Sequence, residues 1–130
     1  MERNSKMTLV IGGAYQGKLD YVLENYPGRS IFTCDVETPD IDLSSDIIYG
    51  LHLAVLSQVR AGTDSMADLM KILPMLKDKI LISDDIFCGV VPIDFETRQW
   101  REVLGKCLNM LSKSADEVIR VFCGIGSHIK

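Results

Sequence analysis

The residues best suited to chemistry lie in a glycine-rich segment near the start of the chain. They follow the spacing G-x-x-x-x-G-K and are Gly12, Gly13, Ala14, Tyr15, Gln16, Gly17 and Lys18, with Leu19 next. Glycines let successive backbone N–H groups converge on one anion, and a helix that begins here adds partial positive charge. The lysine of such a pattern reaches the β and γ phosphates of a nucleotide. Residues 12–19 are therefore predicted to bind a nucleotide, ATP or GTP, with Lys18 as a catalytic residue.

The position after the lysine departs from this pattern. Ser or Thr normally stands there and supplies a hydroxyl to Mg²⁺, whereas Leu19 has no oxygen. Two interpretations remain: a loop that binds phosphate, and a glycine-rich turn or an inherited loop that has lost its ligand. The pattern favours phosphate binding, and it favours binding over catalytic turnover.

A second candidate site is a pair of carboxylates after an apolar run. Asp84 and Asp85 follow Ile80-Leu81-Ile82-Ser83. A carboxylate at the end of such a strand can hold Mg²⁺, directly or through water, next to nucleotide phosphates. Asp84 and Asp85 are thus predicted metal ligands, and Asp85 a catalytic residue. The alternative is that one aspartate caps the following turn while the other is solvated.

The histidines and cysteines predict no further site. His52 and His128 lie in no sequence pattern with Cys, Ser or a second His that suggests a nucleophile or a metal site, so His52 is interpreted as a histidine at the edge of the core. The four cysteines are widely spaced and contain no C-x-x-C pair, which argues against a zinc site and a disulfide framework. They are Cys34, Cys88, Cys107 and Cys123.

Composition excludes several classes of protein. The 130 residues are 47% hydrophobic, which predicts one globular domain over residues 1–130. The net charge of −4, without a concentration of Lys and Arg, argues against nucleic-acid binding. The apolar runs are too short to span a bilayer, and the polar start is unlike a signal peptide, so a cytoplasmic protein without a membrane partner is expected. An acidic series between Asp35 and Asp46 is interpreted as a solvated loop.

Apolar runs alternate with amphipathic segments along the chain. Strands are predicted near residues 7–11, 30–34, 79–83 and 118–123. Helices are predicted over residues 18–25, from Ser45 or Asp46 to Arg60, from Ser65 to an interruption at Pro74, and from Phe95 or Glu96 to Ser114. A short tail follows Gly126. This order predicts an α/β fold, a P-loop-type parallel sheet of about four or five strands with helices on both faces.

Two stretches of the chain resemble the adenosylcobinamide kinase/adenosylcobinamide-phosphate guanylyltransferase family. Residues 8–18 are similar to that family's first strand followed by G-G-A-R-S-G-K-S. Residues 82–92, Ile-Ser-Asp-Asp-Ile-Phe-Cys-Gly-Val-Val-Pro, are similar to its V-S-N-E-V-G-x-G-I-V-P. The similarity then continues without a gap to the end of the chain, through Ala115-Asp116-Glu117-Val118 and Lys130.

Five features depart from the family's pattern. Tyr15-Gln16 and Leu19 replace its R-S and S, and Asp85 stands where it has Glu. Its H-x-x-x-R-P segment, whose histidine takes up the guanylyl group, has no counterpart, so no covalent guanylyl adduct is predicted. Its D-C-L-T-x-W strand, which supplies a carboxylate for the metal, is interpreted as missing. The chain is also shorter than usual members.

The resemblance implies a P-loop sheet, a nucleotide or corrinoid ligand, and relatives that form homotrimers. Two hypotheses follow. The first is an ATP- or GTP-dependent kinase of cobalamin biosynthesis that acts with Mg²⁺ on a cobinamide-like alcohol. The second is a non-catalytic or oligomeric binding protein that has lost guanylyltransferase activity, with or without loss of kinase activity. Leu19 favours the second hypothesis, whereas Lys18 and Asp85 favour the first.

Overall fold

The computed structural model describes residues 6–85 and 94–130. Residues 1–5, whose polar character argued against a signal peptide, and Cys88 within the family-like segment lie outside the described residues. The strands are β1 Thr8–Gly12, β2 Ile31–Thr33, β3 Ile47–Tyr49, β4 Ile80–Asp84, β5 Glu117–Phe122 and β6 Ile125–His128. The helices are α1 Lys18–Asn25, α2 Leu51–Ala61, α3 Ser65–Ile72 and α4 Phe95–Ser114, with a 3-10 turn at Leu73–Met75.

One sheet contains all six of these strands, in the order β2-β3-β4-β1-β5-β6. The pairs from β2 to β5 are parallel, and β6 pairs with β5 in the antiparallel direction. Between β1 and β4 the register runs from Thr8 opposite Ile80 to Gly12 opposite Asp84. The sheet therefore brings the start of the glycine segment beside the first of the two aspartates.

The sheet is buried on both faces, as parallel sheets usually are. On one face Leu9, Ile48 and Leu81 pack with residues of α2, α3 and α4. On the other face Val10 and Ile82 pack with residues that include Val22 of α1. Alternate residues of one strand thus enter opposite layers, and the predicted α/β fold with helices on both faces is confirmed.

The arrangement of helices explains where a ligand site can form. The chain leaves β1 through α1 on one face, and it leaves β4 toward α4, which packs on the other face. Because β1 and β4 are neighbours and the helices that follow them pack on opposite faces, the carboxyl ends of these two strands form the switch point of the sheet. Open α/β sheets bind ligands at such a switch point.

Two predictions about local structure are wrong. The segment expected to be one helix from residue 45 or 46 contains β3 first, and α2 begins only at Leu51. Ile47 and Ile48 are both fully buried, one in each layer, which a strand achieves and one face of a helix does not. Gly50, with φ of 81°, separates the strand from the helix.

The expected tail is the antiparallel strand β6, so the sheet has one strand more than predicted. Cys123 and Gly124 form the two-residue turn before it, with φ values of 51° and 76°. Positive φ at both central residues is the backbone of a type I′ hairpin turn. The hairpin could not be predicted from the sequence, because the first of these positions is a cysteine where Asn or Gly is usual.

The other helices agree with the sequence. Asp64 caps α3 by accepting the N–H of Ala67 at 3.2 Å, and the helix ends before the 3-10 turn that contains Pro74. Asp94 caps α4 in the same way through Thr97 at 2.9 Å. These caps satisfy backbone donors that the first turn of a helix leaves without partners.

Candidate functional site

The glycine segment forms the loop between β1 and α1, as predicted. Gly17, with φ of 83°, is the N-cap of α1 and offers no side chain to the amides of the first turn. Gly12 is packed so closely that a Cβ atom there would lie 2.4 Å from the carbonyl oxygen of Val121. Tyr15 is fully exposed with φ of 60°. The loop thus has the uncapped helix start that an anion site requires, and anion binding by residues 12–19 stays a prediction.

Lys18 is turned toward the end of β4. Its side chain is only 5% exposed, and its Nζ donates to the carbonyl oxygen of Gly13 at 2.6 Å and lies 2.7 Å from Oδ1 of Asp84. A buried ammonium is stable only when it is paired and hydrogen-bonded. The predicted phosphate-binding lysine and a predicted metal ligand therefore form one ion pair.

The two aspartates differ in their placement. Asp84 ends β4, and its side chain is 23% exposed at the wall of the site. Asp85 follows the strand, and its backbone N–H donates to the carbonyl oxygen of Gly12 at 2.7 Å. The structure places Oδ1 of Asp84 against Lys18. The roles of Asp84 as a metal ligand and of Asp85 as a catalytic residue and metal ligand stay predictions.

His52 is the functional candidate that the sequence analysis missed. It lies in the first turn of α2 with 12% of its side chain exposed. Its Nδ1 accepts the backbone N–H of Asp84 at 3.0 Å, and its Nε2 lies 3.4 Å from Oδ2 of the same residue. A ring nitrogen that accepts an N–H carries no proton, so this geometry assigns the neutral ring with its proton on Nε2.

The surroundings of His52 favour the neutral ring. Burial lowers the pKa of His52 below its ordinary value; the charge of Asp84 acts in the opposite direction, and that of Lys18 adds to the lowering. Trp100 of α4 donates its indole N–H to the carbonyl oxygen of His52 at 2.8 Å, and the two rings stack with centroids 6.4 Å apart. No sequence motif predicts this cluster, because its members lie far apart in the chain. They are Lys18 of α1, His52 of α2, Asp84 of β4 and Trp100 of α4.

The turn between β5 and β6 supports the glycine loop from its other side. The side-chain oxygen of Gln16 accepts the N–H of Cys123 at 2.7 Å, and its backbone oxygen accepts the N–H of Gly124 at 2.8 Å. A Cβ atom on Gly17 would lie 3.3 Å from the Cα of Gly124, so the two backbones are in close contact. Gln16 was predicted as a ligand of the nucleotide, and the structure gives its side chain this additional contact with the hairpin.

A cleft of about 580 Å³ opens beside the ion pair. The loop from Ala14 to Asp20 forms one wall, and Tyr49, Gly50, His52, Leu53 and Asp84 form the other. This volume is in the range of small-molecule sites. A ligand in the cleft contacts the loop, the lysine and the carboxylate together.

The donor set suits a magnesium ion held mainly by its nucleotide. Leu19 is half-buried against the layer that contains Val10 and Val22, and it contributes no oxygen. Strand β3 lies next to β4 and leads into Gly50 and not into a carboxylate. Among residues 6–85 and 94–130, no group of three or more His, Cys, Asp or Glu side chains could hold a metal. Mg²⁺ needs only one or two carboxylates when phosphates and water complete its shell, and Asp84 meets that requirement.

A comparison with protein-family models adds an independent finding. The model described as "Cobinamide kinase / cobinamide phosphate guanyltransferase" matches residues 44–129, about two thirds of the chain. The chain belongs to this family. The match includes β3 to β6 with His52, Asp84 and Asp85, whereas the glycine loop precedes it. Comparison with individual curated proteins gave no match.

Membership in the cobinamide kinase / cobinamide phosphate guanyltransferase family confirms the resemblance and connects the chain with cobalamin biosynthesis. Both ring nitrogens of His52 contact Asp84, which agrees with the expectation that this histidine takes up no guanylyl group. That expectation stays a prediction.

The remaining observations concern thiols and membranes. Cys34 and Cys107 are free and buried, and Cys123 is free and exposed. No helix in the described part of the chain is both long and apolar enough to cross a membrane.

Proposed function

We propose that this member of the family binds the phosphates of ATP or GTP at residues 12–19 and transfers the terminal phosphoryl group to the hydroxyl of a cobinamide-like alcohol. The observation that carries the proposal is the contact between Lys18 and Asp84 at the switch point of the sheet, beside the uncapped start of α1. A lysine, a set of loop amides and a carboxylate then face one cleft. Phosphoryl transfer depends on this kind of positioning and charge stabilisation.

Each residue has a defined task in this reaction. The loop amides and Lys18 hold the phosphate oxygens and stabilise the negative charge that develops on them. The acceptor oxygen forms a bond to the terminal phosphorus while the bond from that phosphorus to the bridging oxygen breaks, and the nucleoside diphosphate leaves. Asp85, which follows Asp84 at the end of β4, accepts the proton of the acceptor hydroxyl.

A magnesium ion belongs to the proposal as a ligand shared by the nucleotide and Asp84. When bound, it would neutralise charge on the β and γ phosphates. Leu19 leaves one position of its shell to water. The chain supplies few metal ligands of its own, so most of the shell comes from the nucleotide.

The acceptor side of the cleft is formed by Tyr49, Leu53 and the first turn of α2. The whole cleft has a volume of about 580 Å³. In the proposal its acceptor side admits the hydroxyl-bearing arm of a corrinoid, while the larger ring system stays outside. The family membership supports a corrinoid acceptor. It also supports a role in cobalamin biosynthesis. Cytoplasmic action and a homotrimer are further parts of the proposal.

A second function, binding without turnover, is favoured by a different observation. Leu19 and Gly50 occupy places where an oxygen ligand would assist catalysis, and Lys18 is already neutralised by Asp84. Loss of one metal ligand impairs the alignment needed for transfer more than it impairs phosphate binding. A protein of this kind would retain the nucleotide and the corrinoid as ligands.

Calorimetry with ATP and GTP tests the binding part of the proposal. Lys18→Ala should weaken triphosphate binding by about 1.5–3 kcal/mol, the scale of a charge-assisted hydrogen bond. Lys6→Ala removes an exposed lysine that contacts Glu117 and is the matched control. Equal affinities of Lys18→Ala and the unsubstituted protein would mean that the loop is a structural turn.

Mass spectrometry separates transfer from binding alone. The protein is incubated with cobinamide, Mg²⁺ and ATP or GTP, and the corrinoid is examined for the mass of one added phosphoryl group. Its appearance in the unsubstituted protein, and its loss in Lys18→Ala, supports the kinase. Nucleotide binding without this product supports the non-catalytic alternative.

A further inference from the structure

We propose that His52 is a positioning residue that fixes the carboxylate of Asp84 at the nucleotide site, an inference that rests on the proposed function. The imidazole contacts Asp84 at two points, the backbone N–H at 3.0 Å and Oδ2 at 3.4 Å. Rotation of the ring about its bond to Cβ would break both contacts. The ring and the aspartate are therefore oriented as one unit.

This arrangement gives the two carboxylate oxygens different tasks. Oδ2 faces the ring nitrogen of His52, while Oδ1 lies 2.7 Å from the ammonium of Lys18. When a phosphate takes Lys18, Oδ1 is released toward the cleft and Oδ2 stays beside the ring. His52 thus holds Oδ2 in place, and Oδ1 can change its contact from the lysine to the bound ligand.

His52 acts through Asp84 because its own nitrogens are engaged. Nδ1 accepts a backbone N–H, and the proton on Nε2 faces a carboxylate, so the ring has no free lone pair for a substrate. Trp100 holds the residue from its other side by donating to its backbone oxygen and stacking on its ring. Buried partners of this kind orient the ligands that touch a metal, and their loss typically lowers metal affinity 10- to 100-fold.

The test compares nucleotide affinity with and without Mg²⁺ for ATP and GTP. We expect His52→Ala to reduce the gain in affinity from Mg²⁺ about tenfold or more, while the metal-free affinity changes less than about twofold. His52→Gln offers an amide N–H to the carboxylate and should restore part of the gain. His128→Ala, at an exposed histidine of β6, is the control and should behave like the unsubstituted protein.

Two results would overturn the proposal. One is an equal loss of affinity with and without Mg²⁺ in His52→Ala, which would show a packing role alone. The other is an unchanged gain in affinity from Mg²⁺ in His52→Ala.

If His52→Ala does not fold, Trp100→Phe replaces it. This substitution removes the hydrogen bond to the backbone oxygen of His52 and keeps an aromatic ring. A smaller loss of the gain in affinity from Mg²⁺ supports the proposal, and no loss overturns it.

A double-substitution cycle keeps this inference separate from the proposed function. Urea unfolding is measured in the absence of nucleotide for Asp84→Asn, for His52→Phe, which keeps a ring but removes both ring nitrogens, and for the double variant. Shifts of the unfolding midpoint that do not add support a direct coupling of the two side chains, and additive shifts overturn it. If the unsubstituted protein binds neither nucleotide, the proposed function fails and this cycle alone decides whether His52 positions Asp84.

Discussion

The ammonium of Lys18 lies 2.7 Å from Oδ1 of Asp84, and its side chain is almost completely buried. A phosphate that takes Lys18 must therefore displace this carboxylate or lie beside it. In the first case the lysine exchanges one anion for another, and in the second two anions repel each other. The affinity of the loop for phosphate thus depends on Asp84 as much as on Lys18.

Asp84→Asn should strengthen metal-free binding of ATP or GTP. The substitution removes the competing negative charge and retains an oxygen that can accept from Lys18, so we expect an increase of about threefold to tenfold, or roughly 0.7–1.4 kcal/mol. The gain from Mg²⁺ should fall because the metal loses an anionic ligand. Calorimetry with and without Mg²⁺ measures both effects.

The matched control for Asp84→Asn is Asp78→Asn. Asp78 precedes β4 and has φ of 66°, a conformation that asparagine tolerates well. The substitution Asp78→Asn should leave nucleotide affinity unchanged. Weaker metal-free binding in Asp84→Asn would contradict the view that this carboxylate competes with phosphate.

Leu19→Ser should raise the Mg²⁺-dependent affinity for nucleotide. A hydroxyl after the loop lysine can occupy a position of the metal shell that leucine leaves to water. Leu19 also packs on the layer with Val10 and Val22, so its replacement should cost about 1 kcal/mol of folding stability. Leu19→Ala has the same packing defect without the hydroxyl and is the control for calorimetry and urea unfolding. Identical Mg²⁺ dependence in the two variants would show that no metal is held at this position.

Gln16→Met should weaken triphosphate binding by about 1 kcal/mol, the net value of one hydrogen bond. Methionine has a similar length, but it cannot replace the acceptor of the Cys123 N–H, so the loop loses one of its two bonds to the hairpin turn. Asn25→Leu removes an exposed amide outside the loop and is the control. Calorimetry with inorganic tripolyphosphate reports on the loop without a nucleoside. Unchanged affinity in Gln16→Met would mean that the hairpin does not support the loop.

Two buried thiols should make the protein less stable at high pH. Burial raises the pKa of Cys34 and of Cys107 to about 11, and the charges of Asp35 and Asp64, respectively, act in the same direction. A thiol whose pKa is raised by folding stabilises the protein below its unfolded value near 9, and this contribution is lost as the pH rises toward 11. We expect a loss of about 1–2 kcal/mol per thiol over that window.

Urea unfolding at several pH values between 8 and 11 checks the thiol effect. Cys107→Ala should be less stable near pH 8 because it leaves a cavity, and its stability should fall less steeply with pH. Cys123→Ala, at an exposed thiol, should retain the slope of the unsubstituted protein. Parallel pH curves for Cys107→Ala and the unsubstituted protein would contradict the prediction.

The local elements of this protein were readable from its sequence. Three patterns depend only on residues close together in the chain. They are the apolar run before Gly12, the glycine spacing up to Lys18 and the apolar run before Asp84. Strand β1, helix α1 and strand β4 lie where these patterns predict them. The periodicity of α4 and its cap at Asp94 were equally visible, since both depend on neighbours within one or two turns.

Where two structures share one pattern, the sequence was ambiguous. Ile48, Leu51 and Val55 fit the spacing of a helix, yet Ile48 lies in β3 and the other two lie in α2. Burial of Ile47 and Ile48 in opposite layers decided the strand, and that depends on partners far along the chain. The turn at Cys123 was missed for a related reason, because tertiary contacts stabilise a backbone conformation that its residue type does not favour.

The fold class, the glycine spacing up to Lys18 and the pair of aspartates at the end of β4 could be read from the sequence. The ion pair of Lys18 with Asp84, the contacts of His52 with the same aspartate and the link from Gln16 to the last hairpin could not. The reason is distance along the chain: these contacts join residues 66, 32 and 107 positions apart. Periodicity and capping act over a few residues, whereas contacts across a sheet depend on strand order and register, which the packing of the whole domain sets.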